Sequence, residues 1–350
     1  MTAPAERHGV LCAGSILVDA GKVIDAYPPV DGLALVESIT LSTGGAAINM
    51  ATDLARLAAP FPVALLGVVG DDAHGAFVRE ECARLGIDAS AVRTVPDAVT
   101  AFTDVMVERV GGRRTFFHHV GVNARFHAGA DDLARTGARI LHVGVPGVLP
   151  RMDAPVAGAG AGGGGNGWSA LLAAAQARGI HTNLEMAGLA PEVNRALAGP
   201  CLPHLDSLIV NELEAGALAG IDAPAVDPDG PVAWERLEAM ARALLDRGVR
   251  QLVVIHVPAG AVAAAPDGRT WRQGSVRVPR EAVRSATGAG DAIAAGVLLG
   301  LHEGWPVEDC LRLGVAAAAA CVRSPHTSEG IPDAGACLAA ADHDGYRPTG

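Results

Sequence analysis

Short, unbroken apolar runs alternate with longer Ala- and Leu-rich segments of helical spacing along most of this chain. Val10–Ser15, Val63–Val69, Ile140–Val145, His181–Leu184, Ser207–Val210 and Leu252–Val257 lack the polar alternation of a half-exposed strand, so they read as strands covered on both faces. Between them, residues 46–58, 73–85, 168–178, 232–247 and 292–301 carry helical patterns. Strand, helix, strand, repeated, requires crossover connections and a parallel sheet. The expected fold class is therefore α/β: a largely parallel central sheet with helices on both faces. Half of the 350 residues are hydrophobic, enough to bury a sizeable core, and only 3% are aromatic, so that core must be aliphatic.

Two stretches break the alternation. Residues 19–40 and 98–126 have strand composition without helical partners, and Ala101–Val107 and Arg114–Phe117 flank a Gly111-Gly112 turn, which predicts a small separate sheet. Residues 157–167, AGAGAGGGGNG, meet G-x-G-x-x-G at Gly158, Gly160 and Gly163 only through repetition. Pro150, Asp153 and Pro155 upstream deny the strand-turn-helix setting of a dinucleotide fingerprint, so a flexible surface loop is expected there. Residues 336–350 are expected to form a C-terminal tail.

A net charge of −11 without a basic cluster argues against nucleic acid. Apolar stretches such as Leu313–Val322 fall short of the roughly 20 residues a membrane-spanning helix needs. The run Gly9–Val18, preceded by Glu6 and followed by Asp19, reads as a buried first strand rather than a signal peptide. Six scattered cysteines without C-x-x-C fit reduced structural thiols, and a cytoplasmic location is expected. His118 and His119 look like a metal pair, but neighbours on a strand point to opposite faces and cannot share one ion.

Among 27 basic Lys and Arg residues, Lys22 is the single lysine. Ile16 stands where a P-loop needs its first glycine, and Val23 where it needs Ser or Thr, so Walker-type hydrolysis is excluded. No Gly-rich loop precedes Lys22, which excludes a protein kinase. Phosphate chemistry in this chain must rely on backbone amides, arginine or metal.

Thr287-Gly288-Ala289-Gly290-Asp291 offers such amides. Gly288, Ala289 and Gly290 let a ligand approach the backbone where a buried helix begins, and free N–H groups and the positive end of the helix dipole converge there. Asp291 in the first turn has two readings: a helix cap, or a base for a hydroxyl that must lose its proton. Gly44, Gly45 and Asn49 open another helix in the same small-residue style. Asn211 and Glu214 follow the strand Leu208-Ile209-Val210, at the sheet edge where α/β folds bind ligands; a capping box is the alternative reading.

Together these segments resemble the PfkB, or ribokinase-like, carbohydrate kinases. Gly44-Gly45-Ala46-Ala47-Ile48-Asn49 is similar to the first family signature, Gly70-Asp71-Asp72-Ala73-His74-Gly75 to its V-G-x-D-x-x-G, Asn211–Glu214 to its N-x-x-E, and Thr287–Asp291 to the T-G-A-G-D of its second signature. The four motifs occur in family order within a domain over residues 9–335. The resemblance implies a ribokinase-like fold in which residues 19–40 and 98–126 form a lid, and ATP-dependent phosphorylation of a hydroxymethyl group on a sugar or nucleoside. It assigns Asp291 as base and Gly288, Ala289 and Gly290 as the anion hole. Asp19, Gly44, Gly45 and Asn49 are the implied substrate contacts. Asn123 is either a lid-side contact or a turn residue. On the nucleotide side it implies Thr287, Asn211 and Glu214, with Mg²⁺ held by Glu214 through water, and His256 and Gly260 lining the base pocket.

The resemblance has gaps. The second signature usually begins Asp-Thr, where this chain has Ser285-Ala286. The missing carboxylate commonly helps to hold a monovalent cation, so potassium activation is not expected. The adenine-side loop, usually L-G-x-x-G, is Val257-Pro258-Ala259-Gly260, and Pro258 removes a backbone donor. These gaps motivate an alternative, a non-catalytic sugar- or nucleotide-binding regulator, although a pure binder gains nothing from Asp291 beside the phosphates. A nicotinamide-dependent oxidoreductase rests only on the α/β alternation. Scarce aromatics favour a sugar over a nucleobase, and the exposed edges of the lid strands point to a homodimer through the lid.

Overall fold

A strand made of unbroken apolar residues leaves water only when both of its faces are covered, and the computed structural model, which describes residues 7–157, 164–226, 230–324 and 328–349, shows how this is achieved. The strands are β1 (Val10–Gly14), β2 (Leu17–Ile24), β3 (Val36–Gly44), β4 (Val63–Gly70), β5 (Asp88–Val95), β6 (Phe102–Glu108), β7 (Arg114–His119), β8 (Ile140–Gly144), β9 (His181–Leu184), β10 (Ser207–Asn211), β11 (Leu252–Val257), β12 (Gly260–Ala264) and β13 (Thr270–Gly274). The main sheet runs β13-β12-β11-β10-β9-β8-β1-β4-β5. From β5 to β11 every pairing is parallel, and β12 and β13 add an antiparallel edge.

Successive residues of one strand feed opposite layers. Val10 and Cys12 of β1 enter a core with Leu65, Val254, Ile293 and Leu313. Leu11 and Ala13 enter a second core with Leu141, Leu208, Trp168 and Leu244. Helices Ala46–Arg56, Ala289–Glu303 and Val307–Cys321 cover the first face, and Gly167–Gln176 and Trp234–Asp246 the second. Full burial of one aliphatic side chain is worth about 1.5–3 kcal/mol, so each strand stabilises two layers at once.

The two stretches without helices form the second sheet, β3-β2-β6-β7, the first stretch contributing strands from Leu17 to Gly44 and the second from Phe102 to His119. One segment of the expected lid, Gly121–Arg125, is instead a 3-10 turn. His118 lies opposite Thr103 and hydrogen-bonds its Oγ1 through Nδ1 at 3.1 Å, whereas His119 stacks edge-on against Phe102, so the two rings do diverge.

One expectation needs correction. Residues 336–350 are not a tail: helix Ala334–Asp344 buries Cys337 and Ala341 against the first core, and Tyr346 bridges to Val276. Amphipathic spacing of small residues is a weak signal, and tertiary packing supplied what local pattern did not show. Of the expected loop at 157–167, residues 158–163 lie outside those described. Its end is ordered, with Asn166 capping helix Gly167–Gln176 through Ser169 N at 3.0 Å.

Strand order reverses at β1, which lies between β4 and β8. The carboxyl ends of β1 and β8 meet at Gly14 and Gly144, where a Cβ on Gly14 would lie 1.6 Å from the Gly144 carbonyl oxygen. Open α/β sheets bind ligands at such a switch point.

Candidate active site

Gly45 precedes helix Ala46–Arg56 with φ +99°, and a Cβ there would stand 2.6 Å from the Ser15 carbonyl oxygen. Glycine is therefore required, and its turn brings Ala46 N within 3.1 Å of Ser15 Oγ as donor. One turn on, Asn49 Nδ2 donates to Asp291 Oδ2 at 3.0 Å. Asp19 closes the same corner: a Cβ on Gly44 would approach its Oδ2 to 2.2 Å. Burial pushes the Asp19 carboxyl above its ordinary range, opposed by a hydrogen bond with Thr103.

Helix Ala289–Glu303 starts beyond Gly288, which adopts φ +86°, and the first of its amides, Ala289 N–H, donates to the Ala286 carbonyl at 3.3 Å. Thr287 is exposed, with its N–H donating to Ser285 Oγ at 3.1 Å. Gly290 packs on His256, whose Cε1 lies 3.4 Å from where a Cβ would sit. Burial lowers the His256 imidazole to about 4, so it packs as a neutral ring. Asp291 is pushed well above the carboxylate range, first by burial and then by the charge of Glu185.

Asn211 and Glu214 form a complete capping box. Asn211 Oδ1 accepts from Glu214 N at 2.9 Å, and Asn211 N donates to Glu214 Oε2 at 3.1 Å. Burial also raises the Glu214 carboxyl, with the charges of Glu212 and Asp291 adding to the effect. Capping engages part of the carboxylate and leaves further lone pairs.

The contacts shown join Asn49 to Asp291, Gly44 to Asp19, and Gly290 to His256. Two expected residues have other partners. Asn123 is buried, and its Nδ2 donates to the Ile16 carbonyl at 3.0 Å, bracing the passage from β1 to β2. Gly260 is buried in β12, where the Gln273 carbonyl of the next strand would come within 2.2 Å of a Cβ; close strand approach accounts for that glycine.

Sequence reasoning missed three participants. Glu185, just past β9, lies within hydrogen-bonding reach of the Asp291 carboxyl. His142 on β8 meets Glu185 Oε2 through Nε2 at 3.0 Å. The sheet-edge rule applied to Asn211 applies equally to Glu185, and a histidine inside the run Ile140–Val145 was the second signal. Arg114 of β7 in the second sheet donates through Nη1 to Ser285 Oγ at 3.4 Å, placing a guanidinium near the start of helix Ala289–Glu303.

Comparison with known proteins finds similar chains. A relative from Halopiger xanaduensis, an ATP-dependent ribose-1-phosphate kinase, is 36% identical over 102 residues, 29% of this chain and 34% of the relative. The ribokinase of Schizosaccharomyces pombe is 25% identical over 300 residues, 85% of each chain. The structure of Arabidopsis thaliana ribokinase complexed with ribose and ATP superimposes with a TM-score of 0.77 at 21% identity, covering 96% of this chain and 98% of that one. A family model described as pfkB family carbohydrate kinase matches residues 8–159 and 164–334, and with nearly the whole described fold spanned, the chain belongs to the pfkB family of carbohydrate kinases.

Proposed function

We propose that this protein transfers the γ-phosphoryl group of ATP to a hydroxymethyl group of a sugar, with Asp291 as general base. The observation that carries the reading is the meeting of Asn49 and Asp291 at 3.0 Å beside the glycine-rich helix terminus. That contact sets the base next to the Asp19, Gly44 and Gly45 corner, where acceptor hydroxyls would be held. The acceptor O–H breaks as Asp291 takes its proton, the oxygen attacks the γ-phosphorus, and the bond to ADP breaks. Amides at Gly288 and Gly290 would meet the migrating charge, whereas the Ala289 N–H already donates to the Ala286 carbonyl at 3.3 Å; such preorganised dipoles can substitute for a lysine.

Among the described residues no group of three or more His, Cys, Asp or Glu is arranged to hold a metal ion. A Mg²⁺ ion arriving with ATP fits Glu214 instead, whose buried carboxylate offers a single anchor while water and phosphate fill the other positions. Bound there, it would neutralise phosphate charge. Arg114 is suited to the same task from the lid side. No helix among the described residues is long and apolar enough to cross a membrane. Few aromatic side chains are available to stack on a nucleobase, which favours a sugar.

The test is a coupled ADP-release screen over pentoses, hexoses, sugar acids and nucleosides. Acceptor-dependent ADP is expected, falling about 10²- to 10⁴-fold in Asp291→Asn. A folded protein that releases no acceptor-dependent ADP would defeat the reading and favour a binding-only protein.

A further inference from the structure

Gly290 stands inside helix Ala289–Glu303, where alanine is the better helix former. Its backbone lacks the positive φ that requires a glycine at Gly288. The atoms nearest to a Cβ built on it are His256 Cε1 at 3.4 Å and Nε2 at 3.5 Å, which are ordinary contact distances. Further along the same helix, a Cβ on Gly296 would come within 2.8 Å of Gly314 Cα, and one on Gly300 within 2.6 Å of Cys310 Sγ. Close packing explains those two glycines, but neither strain nor packing explains Gly290. The gap left by its missing side chain therefore serves something other than the fold. One wall of that gap is the edge of the His256 ring. Every residue of β11 is buried except His256, which is half-buried at the carboxyl end and paired in register with Asn211. Val254, two residues earlier on the same face, packs in one core with Ile293 of the helix, so the His256 ring follows on that side. Among the described residues no hydrogen bond reaches either of its ring nitrogens. Burial lowers the imidazole to about 4, so the ring is neutral and carries one N–H and one lone pair.

We propose that His256 is a further catalytic residue, donating from Nε2–H to an oxygen of the migrating phosphoryl group, which fills the gap beside Gly290. This rests on the kinase reading given above. A ligand atom lodged where Gly290 lacks its Cβ lies 3.5 Å from Nε2, and an oxygen settling about 0.5 Å nearer the ring makes an ordinary hydrogen bond. A methyl in that position would exclude the oxygen, which gives the glycine its reason. Asp291 is the next residue along the helix, so the donor stands beside the group assigned as base. No proton changes hands with His256. Its hydrogen bond strengthens as charge is redistributed over the equatorial phosphoryl oxygens, and a fixed neutral dipole supplies that help without the lysine this site lacks. The ring is thereby assigned to the phosphoryl end of the nucleotide rather than to its base.

Three measurements decide it. Gly290→Ala adds a methyl that meets nothing closer than 3.4 Å, so its urea midpoint should equal or exceed the parent's while kcat falls on the order of 10²-fold. Turnover at the parent's rate would mean that no ligand atom uses the gap, and overturns the proposal. His256→Phe keeps the ring packing and removes the donor. Its affinity for Mg–ADP with aluminium fluoride, a mimic of the migrating phosphoryl, should fall about 10²-fold, with affinity for ADP alone changed less than about twofold. An equal loss for ADP alone places the ring elsewhere on the nucleotide and overturns the assignment. In the fluoride complex, ¹⁵N-edited NMR should show a neutral ring protonated on Nε2, identified by the signals absent from His256→Phe; protonation on Nδ1 alone is fatal to the donor role. If Asp291→Asn has lost turnover while Gly290→Ala and His256→Phe keep it, this inference alone fails. If the parent releases no acceptor-dependent ADP, the kinase reading fails and takes the proposal with it.

Discussion

Asn49 Nδ2 donates to Asp291 Oδ2 at 3.0 Å across a sequence separation of 242 residues. The bond ties the first turn of helix Ala46–Arg56 to the first turn of helix Ala289–Glu303. It orients one oxygen of a carboxyl group that also neighbours Glu185. Asn49→Ala is expected to lower kcat about tenfold, whereas Asn49→Asp, which adds a negative charge beside Asp291, should lower it further. Steady-state kinetics with the identified acceptor check both, and an Asn49→Ala enzyme with unchanged kcat would remove Asn49 from this role.

Opposite shifts at Glu185 and His142 predict a pH signature in stability. Burial raises Glu185 from 4.5 to about 7, so its contribution is complete below pH 4.5 and is lost as pH rises to about 7. Burial lowers His142 from 6.5 to about 4, so its contribution is complete above pH 6.5 and is lost as pH falls to about 4. Between those limits the two slopes oppose each other. Glu185→Gln removes the first alone, so its destabilisation relative to the parent should be largest near the acid end of the window and shrink toward pH 7. Urea midpoints taken across that interval test it; a gap that widens with pH contradicts the assignment.

Gly45→Ala should be costly. Its φ of +99° combines with a Cβ placed 2.6 Å from the Ser15 carbonyl oxygen, so backbone strain and a clash add together. A loss of about 2–4 kcal/mol is expected, together with reduced turnover because Asn49 shifts with the helix. Gly86→Ala is the control: φ is +70°, nothing lies within 4 Å of the added methyl, and about 1 kcal/mol is expected from the backbone alone. Chemical denaturation of the two variants should separate them.

The second sheet exposes Ile39 at 62%, Leu41 at 45%, Phe116 at 60% and Phe117 at 57%. So much uncovered apolar surface on a small sheet is suited to a second copy of the chain. Sedimentation at micromolar concentration should give a dimer for the parent protein and a monomer for Ile39→Asp. A parent protein that sediments as a monomer would refute the pairing.

Much of the fold was legible because its signals are local. Largely apolar runs located β1, β4, β8, β10 and β11 to within one residue, since a strand buried on both faces is rich in apolar residues; β9, His-Thr-Asn-Leu, buries polar Thr182 and Asn183 instead. Glycine positions marked the turns at residues 45 and 288, where positive φ excludes most side chains. The helix Ala334–Asp344 was missed because its register of small residues acquires meaning only against a neighbouring helix.

The crevice divides in the same way. Its glycines, Asn49 and Asp291 stand in motifs whose spacing is chemical, so sequence alone determined them as candidates. Glu185 and His142 belong to no motif and lie 43 residues apart. Only tertiary structure decided that their strands are neighbours, that the Asn183 amide contacts the His142 ring at 2.8 Å, and that burial raises the Glu185 carboxyl to about 7. Side-chain identity is a property of the chain, but proton affinity depends on the dielectric and charges around each group, and those exist only once the sheet has formed.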